Sequence, residues 1–200
     1  MKPYKLFVLL LLLVIALSGT VVTGAKVLTQ EGASSEVKTG VYTPDPNAPP
    51  LPPTDTTGAT DLVHQGTAWV AESRPSYGMF RPWAWGTETK VKAISDQWVH
   101  LAVPYASVLD GTALKLKHAE FCAKSTNGAQ TKPTRIDLWA NATKIGQWAI
   151  AWPADNAYHC AYVDFPTPTW YEGVGISVWL HYANVADKIT LYKAWVRLVP

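Results

Sequence analysis

Between Gly173 and Tyr182 the chain reads GVGISVWLHY. Val174, Ile176, Val178, Leu180 and Tyr182 are apolar, while Gly175, Ser177, Trp179 and His181 stand between them. A helix sorts side chains at 3.6 residues per turn and a strand at two, so this alternation reads as a strand with one face in a core. The other face pairs the small Gly175 and Ser177 with Trp179 and His181. It is either a close-packed sheet contact or the floor of a shallow groove.

From Leu62 onward the chain repeats this kind of run between Gly, Pro, Asn and Asp. Candidate strands are Thr67–Glu72, Phe80–Trp85 (broken by Pro82), Gln97–Val103, Thr112–Ala123, Thr134–Ala140, Lys144–Trp152, Tyr158–Phe165 and Lys188–Leu198. Pro104 ends the third, because proline cannot donate to a ladder. Ser125–Pro133 and the PTPTWYEG stretch at 166–173 read as loops, and no amphipathic helix is evident. About eight or nine short strands with turn signals between them predict an all-β fold. We expect an antiparallel two-sheet β-sandwich of jelly-roll type over residues 62–200. Ten Trp and nine Tyr supply large side chains for its core.

Two segments precede that domain. Lys2 and Lys5 flank an uninterrupted apolar run, Leu6–Leu17, and small residues follow up to Ala25. Residues 1–25 therefore read as a secretory signal, cleaved after Ser18 or Ala25, or as a retained anchor, since residues 6–25 are long enough to form a membrane-spanning helix. The balance favours cleavage, and either reading predicts an extracytoplasmic domain. No Cys follows the run, which excludes lipid attachment there. Residues 26–61 are rich in Pro, Thr and Asp, a composition that reads as a disordered, semi-rigid linker. Cys122 and Cys160 are the only cysteines; an even count in an exported protein predicts one disulfide. By parity both point inward, Cys122 on the side of Leu114 and Leu116. In the chain-entropy account such a cross-link stabilises by roughly 4 kcal/mol.

The order of several short motifs resembles a family of small, uncharacterised β-sandwich domains known mostly from bacteria. They are His64–Gly66, Trp85-Gly86-Thr87, Trp98-Val99-His100 ending at Pro104, Arg135–Trp139, and Gly173-Val174-Gly175-Ile176-Ser177-Val178. The resemblance spans about residues 64–198 and implies the same fold. The chain departs from it at Ala106, where the family has a second Pro, and in its cysteines and its long linker. The family has no settled activity, so the resemblance implies no chemistry.

Direct motifs for chemistry are few. A net charge of +2, with basic residues scattered, excludes a nucleic-acid partner. His64, His100, His118, His159 and His181 show no ligand spacing, so no metal or cofactor is expected. There is no G-x-S-x-G, and Glu120, Asp137, Asp164 and Glu172 read as strand-edge or turn charges. No catalytic residue is assigned, and an uncharacterised hydrolase is kept only as a further alternative. Sugar rings present apolar C–H faces that stack on aromatic rings, so a sheet with outward Trp suits a glycan. Trp139 is the best strand candidate, beside Arg135 and Asp137; Trp170 and Tyr171 are the loop candidates, followed by Trp83 and Trp152 next to prolines. The alternative is a structural, adhesion or assembly component that binds another surface protein through its aromatics. Asn141-Ala142-Thr143 fits a glycosylation acceptor.

Overall fold

The computed structural model describes residues 37–44, 58–103, 108–109 and 111–200. Its strands are β1 (Lys38–Tyr42), β2 (Thr60–His64), β3 (Val70–Ala71), β4 (Tyr77–Trp83), β5 (Gly86–Val91), β6 (Ser95–Val103) and β7 (Val108–Leu109). They continue as β8 (Thr112–Ala113), β9 (Lys115–Ser125), β10 (Lys132–Ala140), β11 (Thr143–Ala149), β12 (Tyr158–Trp170), β13 (Val174–Tyr182) and β14 (Ile189–Val199). Helix among the described residues amounts to two single 3₁₀ turns, Gly66–Ala68 and Arg74–Ser76, and none is long and apolar enough to cross a membrane. The expected signal or anchor, residues 1–25, and the Pro-rich 45–57 lie outside the described residues.

Two antiparallel sheets share one core. The seven-stranded sheet runs β1-β12-β9-β14-β5-β4, and β2 pairs the second half of β14 where β5 leaves off. The five-stranded sheet runs β11-β10-β13-β6-β3, and β7 with β8 forms a small separate ladder. The alternating strand is β13, central in the smaller sheet between β10 and β6. Its even residues are all buried, as the sequence predicts. They pack with Val99, Leu101, Ile136 and Leu138 of their own sheet and with Phe121, Val163, Leu191 and Val196 of the other. Burying side chains of this size contributes about 1.5–3 kcal/mol each, which is what holds the layers together.

Residues 26–61 are not wholly a linker. Lys38–Tyr42 pairs with β12 as an edge strand, and Thr60 and Asp61 begin β2 on β14. A five-residue edge strand with exposed ends carries too little periodicity to stand out from a Pro-rich context. Thr67–Glu72 is mostly a turn with a two-residue strand, and β12 extends through Trp170, beyond the expected loop start, after a register break between Asp164 and Thr169.

The disulfide is present, and the parity assigned to it is corrected. Cys122 and Cys160 are direct cross-strand partners on β9 and β12 and are bonded. They lie on the outer side of the seven-stranded sheet, with Glu120, whereas Phe121, Ala123 and Ala161 face the core. The cause is a bulge. Leu198 pairs with Leu116 and Arg197 with His118, so Lys117 is an extra residue that reverses the alternation after Leu116. Both sulfurs remain fully buried on that outer side.

Candidate functional site

The odd residues of β13 become one side of a grid once register is known. Arg135, Trp179 and Trp98 form one row across β10, β13 and β6. Asp137, Ser177 and His100 form the next, and Trp139, Gly175 and Ala102 the one after. The core takes the opposite parity, so this grid is the outer face of the five-stranded sheet. It contains a groove of about 230 Å³ lined by Glu72, Trp98, His100, Arg135, Asp137, Trp139, Lys144 and Ser177.

Its polar groups are held by one another. Asp137, only 1% exposed, accepts from Arg135 Nε and Lys144 Nζ, each at 2.9 Å. A buried carboxylate is tolerated when two cations and their hydrogen bonds compensate it. The Arg135 guanidinium also lies 4.5 Å from the centroid of Trp98, which meets Trp179 at 4.5 Å. Lys144 sits 5.3 Å from the Trp139 ring. On the floor, Ser177 Oγ and His100 Nδ1 are 2.8 Å apart. Burial pushes the His100 imidazole below its ordinary value, against an opposing pull from Glu72.

Two features leave the groove open. Gly175 is not required by packing: a Cβ there would meet Trp139 Cβ at 3.7 Å, an ordinary contact. Its effect is to keep the floor bare beside Trp139. Trp139 Nε1 is buried without a hydrogen-bond partner among the described residues. Unpaired buried donors are rare in native proteins, and this one belongs to the groove wall.

The five sequence candidates do not share a surface. Trp139 lines the groove, half-buried. Trp83 is 38% exposed on β4, in the other sheet. Trp170 (46% exposed) ends β12, and Tyr171 follows it, half-buried against the core. Trp152 is a correction: at 5% exposure it stacks on Phe121 at 6.1 Å inside the sandwich, out of reach of any ligand. Ser177 lines the groove and Trp179 stands beside it in the row of Trp98, both on the β13 face that the sequence offers as a groove floor. Trp98, His100, Lys144 and Glu72 line it without being sequence candidates, and the outward parity of Trp98 and His100 becomes readable only with the pairing of β10, β13 and β6.

A second concavity, about 320 Å³, lies on the outer face of the seven-stranded sheet, lined by Tyr42, Asp61, Val63, Glu120, Lys193, Trp195 and Arg197. Glu120 is 2% exposed and accepts from Tyr42 O–H at 2.9 Å and Trp195 Nε1 at 2.7 Å. Arg197 makes a bidentate pair with Asp61 at 2.7 and 2.8 Å, and the Trp195 ring is stacked on His118 at 4.4 Å. The four acids weighed in the sequence are thus dispersed. Asp137 is in the groove, Glu120 and Asp164 are on the opposite sheet, and Glu172 accepts from Asn141 Nδ2 in a loop. Glu120 is also the carboxylate nearest the two cysteines, whose sulfurs are committed to the disulfide.

No protein-family model matches the chain, and neither does any curated protein sequence. Solved structures show distant likeness. A CBM36-1 domain of a multidomain xylanase from the hindgut metagenome of Trinervitermes trinervoides is similar at a TM-score of 0.39 and 12% identity, over 68% of this chain and 96% of that one. A carbohydrate-binding module CBM36 in complex with calcium and xylotriose gives 0.37 and 11%, over 66% and 96%. A cyclase from Fischerella sp. TAU gives 0.36 and 12%, over 79% and 84%.

Proposed function

We propose that this chain is an exported, non-enzymatic β-sandwich module of jelly-roll type that binds carbohydrate in the outer groove of its five-stranded sheet. The observation that carries the reading is a groove walled by Trp98 and Trp139 over Ser177 and His100, with Trp179 and Gly175 beside it on the same outward face. Indole rings offer apolar planes to sugar C–H groups, while Ser177, His100, Lys144, Arg135 and Glu72 present hydrogen-bonding atoms at their edges. The aromatics are held rigid by cation contacts and strand pairing, so little ordering entropy is lost on binding. Export rests on the N-terminal apolar segment, with cleavage or retention deciding whether the module is released or tethered.

The test is a glycan-array screen of the full chain against Trp139→Ala and Gly175→Leu. The alanine removes a groove wall, and the leucine fills the floor where packing leaves space. Binding by the wild type that both variants lose supports the reading. Absence of binding to every glycan would move the protein to the alternative class, a structural or adhesion component. Hydrolysis of a bound glycan would overturn the non-enzymatic reading.

A further inference from the structure

On the opposite sheet the β4–β5 hairpin raises two indoles into solvent. Trp83 is 38% exposed and Trp85 50% exposed, among the most exposed aromatics of the described residues. Their planes are parallel within 3°, with centroids 6.2 Å apart. Tyr192 of β14 continues the line 5.7 Å from Trp85 at an angle of 33°, and Tyr158 backs it edge-on at 4.9 Å.

These rings are fixed rather than loose. Trp83 Nε1 donates to Glu88 Oε2 at 3.0 Å, and the Arg81 guanidinium lies 5.1 Å from the Trp83 ring. The hairpin base is seated on β14 by backbone: a Cβ on Gly86 would fall 2.7 Å from Leu191 O, and one on Gly66 would fall 2.7 Å from Gly86 Cα. Thr87 Oγ1 donates to Gly66 O at 2.6 Å, and Trp69 Nε1 donates to Tyr192 O at 3.0 Å. Two fixed, parallel indoles that each keep more than a third of their surface in solvent offer an apolar surface to a partner.

The chemistry of the strip selects that partner. Arg81 and Glu88 pair across the two strands, carry opposite charge and both touch Trp83, so that ring is flanked by one hydrogen-bond donor group and one acceptor group. Successive rings edged by such a pair suit an uncharged polyhydroxylated chain, whose hydroxyls accept from a guanidinium and donate to a carboxylate. We propose that Trp83, Trp85 and Tyr192 form a second glycan-binding site, specific for a neutral polysaccharide and independent of the groove. The groove and the strip are on the outer faces of opposite sheets, so one molecule engages two chains. The inference rests on the carbohydrate reading of the groove and adds bivalency to it.

The experiment uses the full chain, a Trp83→Ala/Trp85→Ala strip variant and the groove-blocked Gly175→Leu. Each is checked for cooperative thermal unfolding and run in affinity gels containing hydroxyethylcellulose, xyloglucan or glucomannan. Linked sites gain about 10²-fold or more in apparent affinity on a polymer, so either variant is expected to lose about that much retardation strength. Only the wild type should raise the viscosity of the responsive polysaccharide by cross-bridging it. A strip variant equal to wild type in retardation and viscosity, while Gly175→Leu loses binding, overturns the second site and leaves the groove reading intact. A wild type that binds none of these polysaccharides overturns the second site, while the glycan array decides the groove reading separately. Trp85-dependent binding to phosphatidylcholine–phosphatidylglycerol vesicles in place of polysaccharide overturns the strip's assignment in favour of a membrane.

Discussion

Tyr42 donates its hydroxyl proton to Glu120 Oε2 at 2.9 Å, which ties the edge strand β1 to a buried carboxylate two strands away. Removing one donor from a buried acceptor costs more than the hydrogen bond itself returned, because the acceptor stays desolvated. Tyr42→Phe is therefore expected to destabilise the domain by about 1–3 kcal/mol in urea unfolding. An unchanged midpoint would show that Glu120 does not depend on β1.

The His100 imidazole supplies a pH dependence with a definite sign. Burial, the larger influence, holds its folded value below the ordinary one, so the unfolded chain takes up the proton first as pH falls. Its stabilising contribution is complete above about pH 6.5 and is lost as pH falls through the folded value. Thermal midpoints should decline from about pH 6.5 towards 5, above the range where most carboxylates titrate. The slope should flatten in His100→Gln. An equal slope in the variant would show that the decline does not come from His100.

The disulfide should contribute strongly to equilibrium stability. Cys122 and Cys160 are 38 positions apart in sequence, and closing a loop of that length is worth about 4 kcal/mol in the chain-entropy account. Cys122→Ala/Cys160→Ala should lower stability by that order. A shift well below about 1 kcal/mol would mean that β9–β12 pairing already restricts the unfolded chain.

Two glycines predict opposite outcomes for the same change. In Gly66→Ala the new methyl would lie 2.5 Å from Leu191 O and 2.7 Å from Tyr192 O, both backbone atoms that cannot swing aside. The expected cost is about 1–3 kcal/mol or more. In Gly175→Ala the nearest atoms are 3.7 and 3.8 Å away, and a strand glycine replaced without strain gains roughly 0.5–1 kcal/mol. Differential scanning calorimetry of the pair checks both signs.

The sheets were legible where alternation was long. Gln97–Val103, Thr134–Ala140 and Gly173–Tyr182 each occur as strands close to their expected limits, and together they form the three adjacent strands under the groove. Trp139 stood out because Arg135 and Asp137 shared its parity. Trp98 and Trp179 were readable only as single residues, since register between strands 36 or more positions apart is a tertiary property. β5 was missed: Thr87 and Thr89 are its inward residues, and Thr89 is buried by hydrogen bonding to Ile189 O and the Tyr182 hydroxyl rather than by apolar character. The cysteines were misoriented because one inserted residue, Lys117, has no sequence signature. The motifs His64–Gly66 and Trp85-Gly86-Thr87 are distant in sequence but meet at the Gly66–Gly86 contact against β14, which gives the spacing of those short motifs a physical reason.

β14 is the last strand in order, yet it lies at the middle of the seven-stranded sheet, where β9, β5 and β2 all pair with it. A chain that emerges from the ribosome or a translocation pore N-terminus first presents those three strands without their common partner. The larger sheet can close only after residues 189–199 have arrived.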